Sequence, residues 1–238
     1  MRALFALSSF VSAALLFSVQ PMFARMIVPL LGGSPSVWNT AMVFYQAALL
    51  AGYAYAHAGA RWLGPRRQPL VHGVLLLLPL VVLPIAVPLG AHPPTTGSPV
   101  VWLLGLMAMA VGLPFLLVSA SAPLLQRWYS LTGQRDANDP YPLYAASNLG
   151  SMLSLIAYPL LIEPRWKLID QSRFWALGYG VLMLLLWSCA VAARRSAAPV
   201  EAGNQETVEK IRWPQRWRWI ALAFVPSSLM LGLTTYAT

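Results

Sequence analysis

The amino-acid sequence predicts an all-α fold: a polytopic membrane bundle of about seven transmembrane helices. The first reason is composition, because 58% of the 238 residues are hydrophobic and only 10% are charged. Soluble domains average about 25% charged residues, so this chain could not cover the surface of a soluble fold. The second reason is that the charges cluster and leave uncharged runs long enough to cross about 30 Å of hydrocarbon. The third is that these runs do not alternate apolar and polar residues, as membrane strands do.

The spans follow from the uncharged runs in chain order. Two runs, 26–60 and 68–126, are too long for one crossing, and the turns "LLGGSPS" and "PLGAHPPTTGSP" are expected to divide them. The N-terminal run also allows a cleaved signal peptide, but its apolar stretch exceeds the usual 7 to 15 residues, which favours an uncleaved span. The predicted spans are 3–24, 37–60, 68–89, 100–125, 141–163, 174–193 and 219–238.

The domain organisation follows from these spans. Residues 1–193 are expected to form a six-helix transmembrane bundle, and residues 194–218 a polar, basic cytoplasmic loop. Residues 219–238 are expected to form a seventh transmembrane helix that continues in a longer native protein.

The distribution of basic residues predicts the orientation in the membrane, because cytoplasmic flanks of membrane helices collect Lys and Arg. Twelve of the sixteen basic residues fall on one predicted face and four on the other. The larger set is Arg2, Arg61, Arg66, Arg67, Arg127, Arg135, Arg194, Arg195, Lys210, Arg212, Arg216 and Arg218. The N-terminus is therefore expected in the cytoplasm. The net charge of +9 is explained by topology and lipid headgroups, without a nucleic-acid partner.

Two spans carry polar side chains along one helical face. In the second span, Asn39 and Gln46 share a face with Tyr53 and His57, beside a stripe of small residues. Such a face is either an interhelical packing surface or the lining of a cavity. In the fifth span, Asn148 is expected to face protein or water, because an unpaired amide in hydrocarbon costs several kcal/mol.

A third group of candidates surrounds the Gly32-Gly33 turn. Arg25 follows a run of uncharged residues, and its side chain could simply extend to the membrane interface. The alternative is that Gln20, Arg25 and Trp38 gather around the turn, where proline-broken backbone can line a binding pocket.

The sequence offers no set of residues typical of catalysis or of a metal site. All seven acidic residues lie in predicted loops or at a span edge, which argues against a cation pump that works through buried carboxylates. The three histidines are widely separated, and the single Cys189 lies within the sixth span. No nucleotide-binding or zinc-protease motif occurs, so we expect no catalytic residue, metal or cofactor.

The stretch "LFSVQPMFARMIVPLLGGSPSVWNTAMVFYQAALLAGYAYAH" resembles the N-terminal membrane region of bacterial spermidine synthase-like integral membrane proteins, the fused major-facilitator and spermidine synthase type. The segments "SASAPLLQRWYS", "DPYPLYAASNLGSMLSLIAYPLLIEP" and "QSRFWALGY" are similar to the same family. The resemblance implies a transporter-like bundle joined to a Rossmann-like aminopropyltransferase domain that binds decarboxylated S-adenosylmethionine. This chain lacks the glycine-rich turn and paired acids of such a domain.

These observations predict a non-catalytic membrane module of the bacterial inner membrane, which anchors or supplies a polyamine-related enzyme domain. The lipid bilayer, a C-terminal or separate synthase domain and a second copy of the chain are the expected partners. The alternative is a stand-alone transporter or channel for a small solute, lined by the polar faces of the second and fifth spans.

Overall fold

The computed structural model describes residues 1–88, 90–94, 98–134, 136–137, 139–196 and 213–237. Throughout these ranges the regular structure is helical, and no strand occurs in them, which confirms the predicted all-α class. The chain divides into two compact units, Met1–Ala198 and Pro199–Thr238, and each is described by itself.

The first two helices are joined by the predicted glycine turn. Helix α1 (Arg2–Leu31) ends at Gly32, whose φ of 73° is a left-handed conformation that glycine adopts without strain. Helix α2 (Pro35–Trp62) begins with a proline, at a position where a backbone donor is not needed. Helix α1 continues through Pro21 and Pro29, so the glycines end it and those prolines do not.

The third pass of the chain departs from the helical span predicted at 68–89. Helix α3 (Gly64–Leu75) is followed by a 3-10 turn, Leu78–Val81, and then by backbone outside any helix. Pro79, Pro84 and Pro88 recur in this stretch, and each lacks the N–H that a continuing α-helix would use. The predicted continuous helix is therefore wrong beyond Leu75.

The next two helices are long, and each contains a wide π turn. Helix α4 (Pro99–Ser130) contains the turn Ala108–Gly112, and helix α5 (Tyr141–Arg165) contains the turn Tyr158–Ile162. Pro114 lies just after the first turn and Pro159 lies within the second. A π turn changes the hydrogen-bond pattern for one turn, which helps a long helix to continue near a proline.

Helix α6 (Leu168–Ser196) completes the first unit by packing against α1, α3 and α4. Helix α1 packs most extensively against α5 and also contacts α4 and α6, so the N-terminal helix lies at the centre of this unit. Large, fully buried side chains of α1, α4 and α6 include Phe5, Phe23, Phe115, Trp128, Tyr129 and Tyr179.

Ion pairs show which helix ends lie together. Arg2 contacts Asp136 at 3.3 Å, which joins the start of α1 to the segment after α4. Arg25 contacts Glu163 at 2.9 Å, which joins the end of α1 to the end of α5. We call the end of the unit that holds the Arg2–Asp136 pair the basic end. The helix termini there carry Arg2, Arg61, Arg66, Arg67, Arg127, Arg194 and Arg195. The opposite end, with the Gly32-Gly33 turn, is the turn end.

The second unit contains helix α7 (Trp213–Ala237). It begins before the predicted start at residue 219, and α6 extends to Ser196, so helix occupies both edges of the predicted loop 194–218. Residues 197–212 of that loop lie outside the described residues. Within α7, the guanidinium of Arg216 lies 5.2 Å from the centre of the Trp213 ring.

Among the described residues, four helices are long and apolar enough to cross a membrane. They are α1, α4, α5 and residues Leu168–Arg195 of α6. This finding supports the predicted membrane class by length and composition, and it covers four of the seven predicted spans.

Candidate functional site

The broken third pass lies alongside α6, and three side chains of α6 donate hydrogen bonds to its backbone carbonyls. The Trp187 indole donates to the Gly73 carbonyl at 3.0 Å, and the Tyr179 hydroxyl donates to the Leu76 carbonyl at 2.9 Å. The Ser172 hydroxyl donates to the Ile85 carbonyl. Residues 73 to 85 therefore run antiparallel to residues 187 to 172.

These hydrogen bonds explain how the chain keeps an interrupted helix inside the unit. A carbonyl buried in an apolar setting costs free energy unless it finds a donor, and irregular backbone at membrane depth occurs where protein supplies one. Tyr179 and Ser172 are buried, so their hydroxyls bind carbonyls that are not hydrogen-bonded by water. Helix α6 thus supplies donors to carbonyls of the interrupted third pass.

A cavity of about 470 Å³ adjoins the non-helical part of this pass, toward the turn end. Pro84, Ile85 and Ala86 form one wall of the cavity, and Ser172 and Arg173 of α6 form another. Interrupted helices that line a cavity are typical of solute sites in membrane transporters. The third pass and this cavity together are the candidate functional site.

A second polar cluster, Tyr55, Gln68, His72 and Trp128, lies nearer the basic end. The Gln68 side chain accepts a hydrogen bond from the Trp128 indole at 3.2 Å and donates to the Ala56 carbonyl at 3.3 Å. The Nδ1 atom of His72 lies 3.2 Å from the Tyr55 hydroxyl. Gln68 and His72 are both buried, so the cluster joins α2, α3 and α4 through desolvated hydrogen bonds.

This cluster has the properties of a structural contact between helices. The His72 ring also packs edge-on against Trp128, with ring centres 6.0 Å apart. The Nε2 atom of His72 makes no hydrogen bond within the part of the chain that the structure describes. Among the described residues, no group of three or more His, Cys, Asp or Glu side chains is arranged to hold a metal ion.

The residues predicted around the glycine turn have different surroundings. Arg25 pairs with Glu163 of α5, and about half of the Arg25 side chain is exposed. The Gln20 amide donates to the Leu16 carbonyl of its own helix at 3.4 Å. Trp38 is exposed on α2. The ion pair gives Arg25 a partner that neither interpretation of the sequence included.

The predicted polar faces of α2 and α5 lie mostly on the outside of the first unit. Gln46 and Asn148 are exposed, and Asn39 is half-buried. The small residues beside Gln46 point inward: Gly52 approaches α4 so closely that an added Cβ would lie 2.8 Å from the Leu116 carbonyl oxygen. On α2 the small residues form the packing surface, and the polar side chains lie beside it.

Sequence reasoning missed the residues that the structure brings together around the third pass. Ser172, Tyr179 and Trp187 recur at intervals of seven and eight along α6, which places them on one helical face. The prolines at 79, 84 and 88 supplied a second signal, because each disfavours a helix in the stretch that faces these α6 side chains.

Comparison of the chain with protein-family models, with curated proteins and with solved structures finds no match.

Proposed function

We propose that this chain is a non-catalytic integral membrane module of a spermidine synthase-like protein, and that it anchors or supplies an aminopropyltransferase domain. In this proposal the chain crosses the bacterial inner membrane seven times, with the N-terminus and the basic end in the cytoplasm. The observation that carries the membrane part is the presence of four helices long and apolar enough to span a bilayer. The resemblance of residues 16–57 and 139–164 to that family supports the remainder.

Two measurements test the two parts of this proposal separately. A copy tagged before Met1 should remain in the membrane pellet after an alkaline carbonate wash, and its release would contradict membrane integration. A tagged native copy, extracted in mild detergent, should transfer the aminopropyl group of decarboxylated S-adenosylmethionine to putrescine. The 238-residue chain alone should show no such activity. Membrane retention without activity of the native copy would contradict only the synthase assignment.

A second candidate function is the transport of a small solute, and the broken third pass favours it. The cavity beside Ile85 joins irregular backbone to a hydroxyl and a guanidinium within a mostly apolar unit. Binding sites of transporters combine these features, because freed backbone groups and a few polar side chains replace the hydration of the solute.

Uptake of a radiolabelled small carboxylate into reconstituted vesicles tests this function, because the charged group that lines the cavity is the Arg173 guanidinium. An Ala86→Trp variant places a large ring in the cavity and should lose most of its uptake, whereas Ala47→Trp on the outer face of α2 should not. Loss of uptake in Gln46→Ala and Asn148→Ala instead would move the path to the outer faces of α2 and α5. Such a path would need a second copy of the chain to enclose it.

A further inference from the structure

Two apolar grooves flank the C-terminal half of α6 in the first unit. The α3–α6 groove has a volume of about 340 Å³ and is lined by Leu70, Val74, Leu77, Trp187, Ala190 and Arg194, among others. The N-terminal groove, of about 600 Å³, is lined by Met1, Leu184, Ser188, Val191, Ala192 and Arg195, among others. Trp187 and Val191 line both, so the two grooves lie side by side with α6 as the ridge between them.

Each groove has an arginine at the basic end. Arg194 lines the α3–α6 groove and Arg195 lines the N-terminal groove, and both side chains are exposed. Arg66 of α3 belongs to the same end. It precedes Gly73 by seven residues, and Arg194 follows Trp187 by seven residues. Gly73 and Trp187 are hydrogen-bonded, so the antiparallel register carries Arg66 and Arg194 the same distance, about 10 Å, toward the basic end.

The described residues leave part of the positive charge at this end without an ion-pair partner. Within the described residues, Arg66, Arg194 and Arg195 form no ion pair, and the carboxylate of Asp136 is paired with Arg2. The grooves, in contrast, expose large apolar side chains, with Val74 64% and Leu184 58% accessible. Paired apolar grooves that end in unpaired arginines complement a molecule with two hydrocarbon chains and one negative headgroup.

We propose that α6 binds one diacyl anionic phospholipid, with an acyl chain in each groove and the phosphate at Arg194 and Arg195. Basic pockets between membrane helices bind anionic headgroups because the guanidinium groups replace counterions at the membrane surface. Arginine suits this contact since its planar fork matches two phosphate oxygens. The inference rests on the membrane setting of the proposed function, and it is independent of the synthase domain and of solute transport.

Native mass spectrometry of the full chain in detergent tests the site, with dioleoyl phosphatidylglycerol as the probe and dioleoyl phosphatidylcholine as the zwitterionic comparison. The wild-type chain should retain one phosphatidylglycerol in preference to phosphatidylcholine. The double variant Arg194→Gln, Arg195→Gln should bind phosphatidylglycerol roughly thirtyfold more weakly, as expected for two arginines at a membrane surface. The variant Arg194→Lys, Arg195→Lys should retain most of the affinity, because both charges remain.

Two controls separate this site from a general effect of charge or of misfolding. Arg61→Gln removes one positive charge from the same end, outside both grooves, and should bind as the wild type does. Leu70→Trp narrows the α3–α6 groove without changing charge and should weaken retention. The thiol of Cys189 is fully buried, so its resistance to maleimide confirms that each variant is folded.

Three results would overturn the proposal. Equal retention of the two lipids would remove the role of the headgroup charge. Unchanged binding in the glutamine double variant would place the lipid elsewhere. Equal binding of glycerophosphoglycerol, which has the headgroup without acyl chains, would show that the grooves hold no hydrocarbon. Release of the chain by carbonate would remove the membrane setting itself and is measured separately.

Discussion

At the residue scale, one glycine sets the distance between α1 and α5. A Cβ added at Gly150 would lie 2.3 Å from the carbonyl oxygen of Phe10, which is backbone and cannot rotate away. One turn later, the Ser154 hydroxyl donates to the Ala14 carbonyl at 2.9 Å. Small residues allow this approach between membrane helices, where packing and hydrogen bonds replace the hydrophobic effect as the source of stability.

The first prediction concerns Gly150. Replacing Gly150 with Ala should destabilise the folded chain by about 1–3 kcal/mol, because the two helices must move apart. The matched control is Gly180→Ala in α6, where an added Cβ meets no atom within 4 Å. That control should be neutral or slightly stabilising, since alanine favours the helix. Thermal unfolding in detergent, monitored through labelling of the buried Cys189 thiol, measures the stability of both variants. Equal stability of the two variants would contradict the close contact.

The second prediction concerns the ion pair between Arg25 and Glu163. Both side chains are more than a third exposed, so solvent screening should limit their coupling to about 1 kcal/mol or less. A double-mutant cycle of Arg25→Gln and Glu163→Gln, measured by thermal unfolding, gives this coupling directly. A much larger coupling energy would mean that the pair is shielded from solvent more strongly than its exposure indicates.

At the element scale, α6 stabilises the interrupted third pass, and the prediction follows from one of its donors. Tyr179→Phe removes the hydroxyl that donates to the Leu76 carbonyl and leaves that carbonyl buried. The loss should be about 1–3 kcal/mol, the usual cost of a buried unsatisfied group. Tyr53→Phe removes an exposed hydroxyl from α2 and should change the thermal midpoint little. Equal shifts for the two variants would show that the Leu76 carbonyl does not depend on Tyr179.

Proline content alone does not reveal which predicted helix is interrupted. Pro21 and Pro29 lie inside α1, and Pro123 lies inside α4, yet both helices continue through them. The third pass contains Pro79 and Pro84 and does not continue as helix. In the interrupted pass, donors from α6 reach the carbonyls of Gly73, Leu76 and Ile85, and such contacts between distant segments are not encoded in local sequence.

The polar candidates show the same limit. Helical spacing correctly placed Gln46 beside a stripe of small residues, because spacing is a local property of the chain. It could not decide which of the two neighbouring faces packs inward, and the structure buries Gly52 and Ala56 while Gln46 is exposed. Arg25 also had no visible partner, since Glu163 lies 138 positions away in sequence. The sequence patterns therefore predicted the all-α class and the glycine turn. They could not predict the pairings between distant segments.

At the scale of the whole molecule, the two ends of the first unit differ in charge, and this difference predicts how it lies in a membrane. The contact between Arg2 and Asp136 places the N-terminus at the same end as the segment that follows α4. Ser130, the last residue of α4, is exposed at this basic end, and Ser34 is exposed at the turn end. Cytoplasmic flanks favour Lys and Arg, so Ser130 is expected inside the cell and Ser34 outside.

Cysteine labelling tests this orientation with two matched and conservative changes. The native Cys189 is buried and should give little background, so Ser34→Cys and Ser130→Cys each add one reactive thiol. In intact spheroplasts a membrane-impermeant maleimide should label Ser34→Cys, and it should label Ser130→Cys only after lysis. The reverse pattern would place the N-terminus outside and overturn the orientation drawn from basic residues. Labelling of both variants before lysis would mean that the two ends do not lie on opposite sides of a bilayer, and the transmembrane arrangement of this unit would then be wrong.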